Sequence, residues 1–305
     1  MNISELSADG VAERLRRRGL AFHCGPFLIR VVSTIPAIAR GLCLLYGDMP
    51  LAESEEFVDY HLEFNRARGV RGWVKPLVAF NFDGNRPFNP LVIAQAYPLF
   101  EWALNWCIAF HSHQYLILHA AVVERDGRTL IMPAPPGSGK STLTAALISR
   151  GWRLFSDEMA LIDIATRRLV PAPRPVCLKN ESLEVIRRFV PGAVLSGMTH
   201  DTAKGTIAHM KAPAEHVHRA GETATSGWIV APKYVAGAAA TLAERPKAGA
   251  HMYLARNAFN YAIHGRAGFD MVADLVESSG CFDFHYGDLD EAVACLDRLP
   301  ASGSA

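Results

Sequence analysis

Residues 130–158 read LIMPAPPGSGKSTLTAALISRGWRLFSDE. An apolar run suited to a strand stops at Pro133, and a Pro/Gly stretch follows. KSTLTAALISRG then has the spacing of a helix, with Leu143, Ala146 and Leu147 on one face and Gly151 as its C-terminal stop. WRLFSDE returns as a second strand and ends in two carboxylates. Strand, glycine turn, short helix and strand in immediate succession predict an α/β sheet that brings the turn and the carboxylates together.

The turn has the chemistry of an anion site. Gly137 and Gly139 let successive N–H groups point inward, Lys140 adds a point charge, and the helix starting near Ser141 offers its positive end. This is the Walker A pattern G-x-x-x-x-G-K-[ST], with Ala134 where the pattern has glycine. Alanine serves there if residue 134 has negative φ. Pro136, Gly137, Ser138, Gly139, Lys140, Ser141 and Thr142 are therefore expected to bind nucleotide phosphates, with the Ser141 hydroxyl on Mg²⁺. The plainer alternative is a glycine turn that only joins strand to helix.

The short distance to the carboxylates favours phosphoryl transfer over mechanical work, because a kinase needs a carboxylate near an attacking hydroxyl. Adjacent strand-end residues point to opposite faces, so Asp157 and Glu158 are expected to divide the roles. Asp157 is assigned as general base and Glu158 as a direct or water-mediated metal ligand, with the exchanged assignment open. Ser-Asp-Glu is also good helix-capping chemistry.

Working outward, QYLILHAAVVERDGRTLIMP (114–133) holds two apolar runs around Asp126-Gly127, a hairpin signal. MALIDIATRRLVPAPRPV (159–176) reads as strand, turn and strand, and NESLEVIRRFVPG (180–192) as a helix. GMTHDTAKGTIAHM (197–210) is expected to be a functional loop, GWIVAPKYV (227–235) a strand, and 254–280 helices. Residues 1–110 alternate strand-like and helical runs and form an α/β region packed onto a core at 111–300. The tail ASGSA (301–305) is expected to be disordered.

Composition narrows the partners. Half the residues are apolar, and 31 Lys and Arg stand against 30 Asp and Glu, so no broad field attracts nucleic acid or anionic membrane. The cysteines, Cys24, Cys43, Cys107, Cys177, Cys281 and Cys295, have no metal-ligand spacing and read as thiols of a reducing compartment. The N-terminus lacks an apolar leader. Residues 91–110 are apolar but carry Gln95, Pro98, Glu101 and Asn105, which suits a buried helix from about Pro98 and no membrane span. A cytoplasmic location is expected.

LHAAVV (118–123), PPGSGKST (135–142) and RGWRLFSDE (150–158), in that order, resemble the C-terminal domain of the HPr kinase/phosphorylase family, which shares its P-loop core and mixed sheet with phosphoenolpyruvate carboxykinase. More narrowly, the chain resembles the HprK-related kinase A group, through its N-terminal half and through LKN (178–180) and KGT (204–206). The resemblance implies Mg²⁺ and ATP as cofactors and His119 beside the transferred phosphoryl group. It further implies Asp157 as acid/base, Ser141 and Glu158 at the metal, and homo-oligomers. Segment 197–210 differs from the HPr-recognition segment of that family, so the expected acceptor is a hydroxyl of another protein, a peptide or a small molecule. The same chemistry could run in reverse with inorganic phosphate, or the cradle could serve a non-catalytic regulator.

Taken alone, His119 in an apolar strand also suits a packed core position. Lys204 on its Gly-flanked segment, and Arg174 and Lys179 in PRPVCLKN (173–180), are substrate candidates that would equally serve as structural cations. Arg256, Asn257 and Asn260 could touch ligand or cap a helix. His111 with His113, and His216 with His218, lack a third ligand for zinc.

Overall fold

A computed structural model describes residues 1–52, 56–67 and 76–299; the expectation for 301–305 lies outside the described residues. The chain is α/β with mixed sheets. In the first part, helix α1 (Ala8–Arg17) is capped by the Ser7 hydroxyl and buries Val11 and Leu15. Strands β1 (Leu20–Cys24) and β2 (Phe27–Ser33) precede helix α2 (Pro36–Leu45), which starts on a proline. Strands β3 (Tyr60–Arg66), β4 (Leu77–Phe82) and β5 (Leu91–Val92) complete a sheet of order β1-β2-β3-β4-β5, in which β2 and β3 are parallel.

Helix α3 (Ala96–His111) follows, two residues earlier than Pro98 suggests, and buries Leu99, Phe100, Leu104 and Ile108 against β3 and β4. Among the described residues no helix is long and apolar enough to cross a membrane.

The second part runs β6 (Tyr115–Leu118), β7 (Ala120–Arg125), β8 (Arg128–Pro133), α4 (Lys140–Ser149), β9 (Arg153–Ser156), β10 (Ala160–Asp163), β11 (Leu169–Val170) and β12 (Val176–Lys179). It continues through α5 (Glu181–Phe189), β13 (Thr199–Thr202), β14 (Gly205–Met210), α6 (Ala214–His218) and β15 (Thr225–Tyr234). Strand β16 (Thr241–Glu244), helices α7 (Lys247–Arg256) and α8 (Tyr261–Glu277), strand β17 (Gly280–Tyr286) and helix α9 (Leu289–Leu296) close it. The largest sheet has the order β16-β17-β15-β8-β7-β9, and two smaller ones read β11-β10-β6 and β12-β14-β13.

Strand direction in the large sheet sets the site. The β7–β8 hairpin turns at Asp126 and Gly127, both with positive φ, as a tight two-residue hairpin turn requires. Strand β7 is antiparallel to β8 on one side and to β9 on the other, so β8 and β9 run the same way and end at the same edge. The register puts Ala120 opposite Pro133 and Val122 opposite Ser156. His119, just before β7, the turn after β8 and the pair Asp157-Glu158, just after β9, therefore converge on one edge.

Both faces of this sheet are covered. Val123, Leu130 and Met132 join the larger core, while Val122 and Ile131 join a second core under α7 and α8. This is the strict alternation of strand side chains. Helix α4 departs from the single apolar face expected of it: Thr144, Ala145 and Ile148 are buried as well, because it packs against β7, β12, α5 and α9.

Two sequence expectations are corrected. The run before Asp126 is two strands, since the chain breaks at His119 and β6 pairs with β10 in a different sheet. Segment 197–210 is a hairpin, β13–β14, with a loop only at its tip. Its apolar Ile207 and Ala208 are fully buried where β14 pairs with β12.

Candidate functional site

The loop between β8 and α4 is held by its neighbours. Gly137 and Gly139 have φ of +85° and +87°, so both lie where side chains are disfavoured. A Cβ on Gly139 would come within 2.3 Å of the Tyr286 hydroxyl. That hydroxyl donates to the Gly139 carbonyl at 3.0 Å, and the Tyr234 N–H donates to the Ser138 carbonyl at 2.9 Å. The ends of β15 and β17 thus clamp the loop. Ala134 is buried and is not among the residues with positive φ, which explains why alanine serves there.

The loop forms one wall of a cleft of about 640 Å³. Every residue expected to bind phosphate, Pro136 through Thr142, lines it, together with His119, Glu158, Lys179 and Lys204. Lys140 opens helix α4 and is 9 % exposed, with Nζ 3.3 Å from His119 Nε2. An ammonium only donates, so Nε2 is the acceptor and the imidazole proton sits on Nδ1.

Burial, and then the Lys140 charge, push His119 down to about 4, against the opposing pull of Glu158. The imidazole is therefore neutral at pH 7, and its 4.0 Å approach to Glu158 Oε2 is not an ion pair. Burial also lowers the pKa of Lys140, while Asp157 and Glu158 oppose that shift.

The two carboxylates part company in the turn after β9. The Ser156 hydroxyl accepts from the N–H groups of Glu158 at 3.3 Å and Met159 at 3.0 Å, fixing the turn after β9. Glu158 faces the cleft; burial alone would raise its pKa, but the charges of Lys204, Lys140 and Lys179 hold it below the ordinary value. Asp157 is 4 % exposed and is not part of the cleft lining. Its Oδ2 accepts from the Cys177 N–H at 3.1 Å, and its Oδ1 is buried without a partner. Burial first, then the Glu158 charge, push its carboxyl up to about 6.

An unpartnered buried carboxylate oxygen fits a cation. Ser141, Asp157 and Glu158 carry hard oxygen donors of the kind that would suit Mg²⁺. Among the described residues no group of three or more His, Cys, Asp or Glu gathers as a metal cage.

The remaining candidates divide. Lys179, at the end of β12, and Lys204, at the tip of the β13–β14 hairpin, both reach the cleft, and the Lys204 ammonium lies 5.9 Å from the Trp102 ring centre. Arg174 does not reach it. Its guanidinium is buried 3.6 Å from Glu101 and bonded to Asn105 of α3, so a substrate role is replaced by a structural one.

Asn260 is buried, accepting from the Ile117 N–H and donating to the Tyr115 carbonyl, while the Asn257 carbonyl accepts from the His119 N–H. Arg256 is exposed at the end of α7 and does not line the cleft. His111 packs on Phe82 and Trp106, and His216 accepts from the Leu154 N–H. Sequence reasoning missed Cys177, Tyr234 and Tyr286. Each acts through the backbone or from a distant strand, and no local motif marks them.

No protein-family model matches the chain, and no curated protein matches it.

Proposed function

We propose that the chain is a phosphotransferase with a P-loop core of the HPr-kinase type, which moves the γ-phosphate of Mg²⁺-ATP to a hydroxyl of a protein, peptide or small molecule other than HPr. One observation carries this reading. The glycine loop with Lys140, a neutral His119 and a cleft-facing carboxylate converge on one sheet edge, beside a second carboxylate whose buried oxygen lacks a partner. Such an arrangement has what phosphoryl transfer needs: backbone N–H groups and cations for the phosphates, and a base for the acceptor.

The exposure of the two acids favours the exchanged assignment. Glu158 lines the cleft and takes the proton of the acceptor hydroxyl; the acceptor oxygen then forms its bond to the γ-phosphorus as the bond to the β–γ bridging oxygen breaks, and ADP leaves. Lys140, Lys179 and Lys204 neutralise the phosphate oxygens, and His119 holds the Lys140 ammonium toward them. Asp157 and Ser141 would hold Mg²⁺, which supplies charge neutralisation on the phosphates when bound.

The test is transfer of γ-label from Mg²⁺-ATP into fractionated lysate by wild type, Lys140→Ala, Asp157→Asn and Glu158→Gln. Glu158→Gln should bind ATP and lose roughly 10²- to 10⁴-fold in transfer, and Asp157→Asn should need more Mg²⁺. Full transfer by Glu158→Gln would remove the base assignment. Label in the Lys140→Ala control would overturn the assignment of transfer to this site, and none despite ATP binding by wild type would overturn the kinase reading and leave a nucleotide-binding regulator.

A further inference from the structure

Two residues of the first part of the chain touch the tip of the β13–β14 hairpin. Gln95 immediately precedes α3, yet its side chain makes no capping bond there. It is buried, and its Nε2 donates to the Asp201 carbonyl at 2.8 Å. Trp102 lies about two helical turns further along and so on the same face of α3, and its ring centre is 5.9 Å from the Lys204 ammonium. That is within the reach over which an aromatic face attracts a cation. The indole N–H is buried without a partner, so what Trp102 contributes here is its face.

The backbone of the tip is braced from within. The Thr202 hydroxyl donates to the Gly205 carbonyl at 2.7 Å and accepts from the Lys204 N–H at 3.1 Å, and the Asn180 side chain accepts from the Thr206 N–H at 3.0 Å. These bonds leave the Lys204 side chain to find its own place. Lys204 is exposed and enters no ion pair among the described residues, and a lysine free in solvent samples many rotamers. The Trp102 ring limits that freedom, at a tip whose Ala203 and Lys204 line the cleft. The same helix secures the strand beside the hairpin: Glu101 and Asn105 hold Arg174 ahead of β12, which pairs with β14.

We infer that Gln95 and Trp102 are positioning residues for the cleft: they seat the hairpin tip on α3 and so hold the Lys204 ammonium toward the bound phosphates. Neither residue lines the cleft. The first part of the chain thus works in the site through Lys204 and touches no substrate itself. This rests on the reading of the cleft as a phosphate site given above.

Calorimetric titration of Mg²⁺-ATP into the full chain tests it, with wild type, Lys204→Met, Trp102→Leu, Trp102→Phe and Gln95→Met, and with Lys204→Met combined with Trp102→Leu or with Gln95→Met. Circular dichroism checks the fold of each. Lys204→Met should weaken binding by about tenfold or more, Trp102→Leu by about two- to fivefold, and Gln95→Met in the same direction. Trp102→Phe, which keeps a ring face and sheds the unpartnered N–H, should fall between wild type and Trp102→Leu. In the Lys204→Met background neither second replacement should cost anything further, a coupling that a merely structural role would not produce. Amide exchange at 202–206 should quicken in Trp102→Leu and Gln95→Met while that of β8 and β9 stays as in wild type. Losses that add up in the double variants, or unchanged ATP binding in Trp102→Leu, Gln95→Met or Lys204→Met, would overturn the inference and leave the phosphate site standing. A wild type that binds no ATP would overturn both readings together.

Discussion

Replacing Asp157 with asparagine should make the protein more stable at neutral pH, and the gain should depend on pH in a defined direction. The carboxyl is pushed up from 3.8 to about 6, by burial first and then by the Glu158 charge. Below about pH 4 the carboxyl is protonated in both folded and unfolded chains and contributes nothing to the difference. Between about pH 4 and 6 the folded state holds the proton that the unfolded state has lost, so stability falls as pH rises; above about pH 6 the loss is complete.

Each pKa unit is worth about 1.4 kcal/mol, so the full effect is about 3 kcal/mol. His119 acts oppositely: its folded pKa is depressed to about 4, so it contributes stability that is present above about 6.5 and lost as pH falls through about 4. Comparing wild type with Asp157→Asn at each pH cancels that contribution and the other titrations the two proteins share. Urea unfolding at a series of pH values from 4 to 8 should give a difference that grows with pH to about 3 kcal/mol in favour of the variant. A difference that is flat, or that shrinks as pH rises, would refute the account of Asp157 as a buried, under-satisfied carboxylate.

Three further outcomes follow from the geometry. Gly139→Ala should lose more stability and ATP affinity than Gly137→Ala, because both carry the roughly 1–2 kcal/mol strain of positive φ while only at 139 does the new Cβ meet the Tyr286 hydroxyl; thermal melts and ATP titrations of the pair would expose an inverted order. Glu101→Gln should cost roughly 3–5 kcal/mol in chemical denaturation by leaving the buried Arg174 charge uncompensated, and a change under about 1 kcal/mol would show that the pair is not what holds Arg174. Lys140→Met should raise the His119 pKa, since the Lys140 charge is the second cause of its depression after burial; NMR titration of the imidazole detects this, and an unmoved value would separate the two groups.

Much of the site was legible because its signals are local. The positive-φ glycines, the lysine opening a helix and the Asp126-Gly127 turn each follow from backbone preferences within a few residues. The closeness of Asp157 to the loop followed from the single short helix between them. Strand insertion was not legible: nothing near His119 announces that the chain changes sheets there, since Leu118 and Ala120 are as apolar as a continuous strand would be. The fate of Arg174 was hidden for a similar reason. Its partners, Glu101 and Asn105, lie on α3, far back along the chain, and a proline-flanked arginine reads equally well as a ligand for solvent or substrate. The hairpin at 199–210 reads as a loop in the sequence because Thr, Gly and Lys at its tip mask the buried Ile207 and Ala208 of β14.

The larger hydrophobic cluster runs from Ile3 through α3 and the glycine-loop helix to Leu296 without interruption. Such continuity bears on how a protein of this kind can be remodelled over generations. A recombination that swapped residues 1–111 for those of a different ancestor would strip Arg174 of both its counter-charge, Glu101, and its Asn105 partner. Change at the cleft is therefore expected to accumulate by single replacements at the hairpin tip and cleft rim, with the two ends of the chain inherited as one piece.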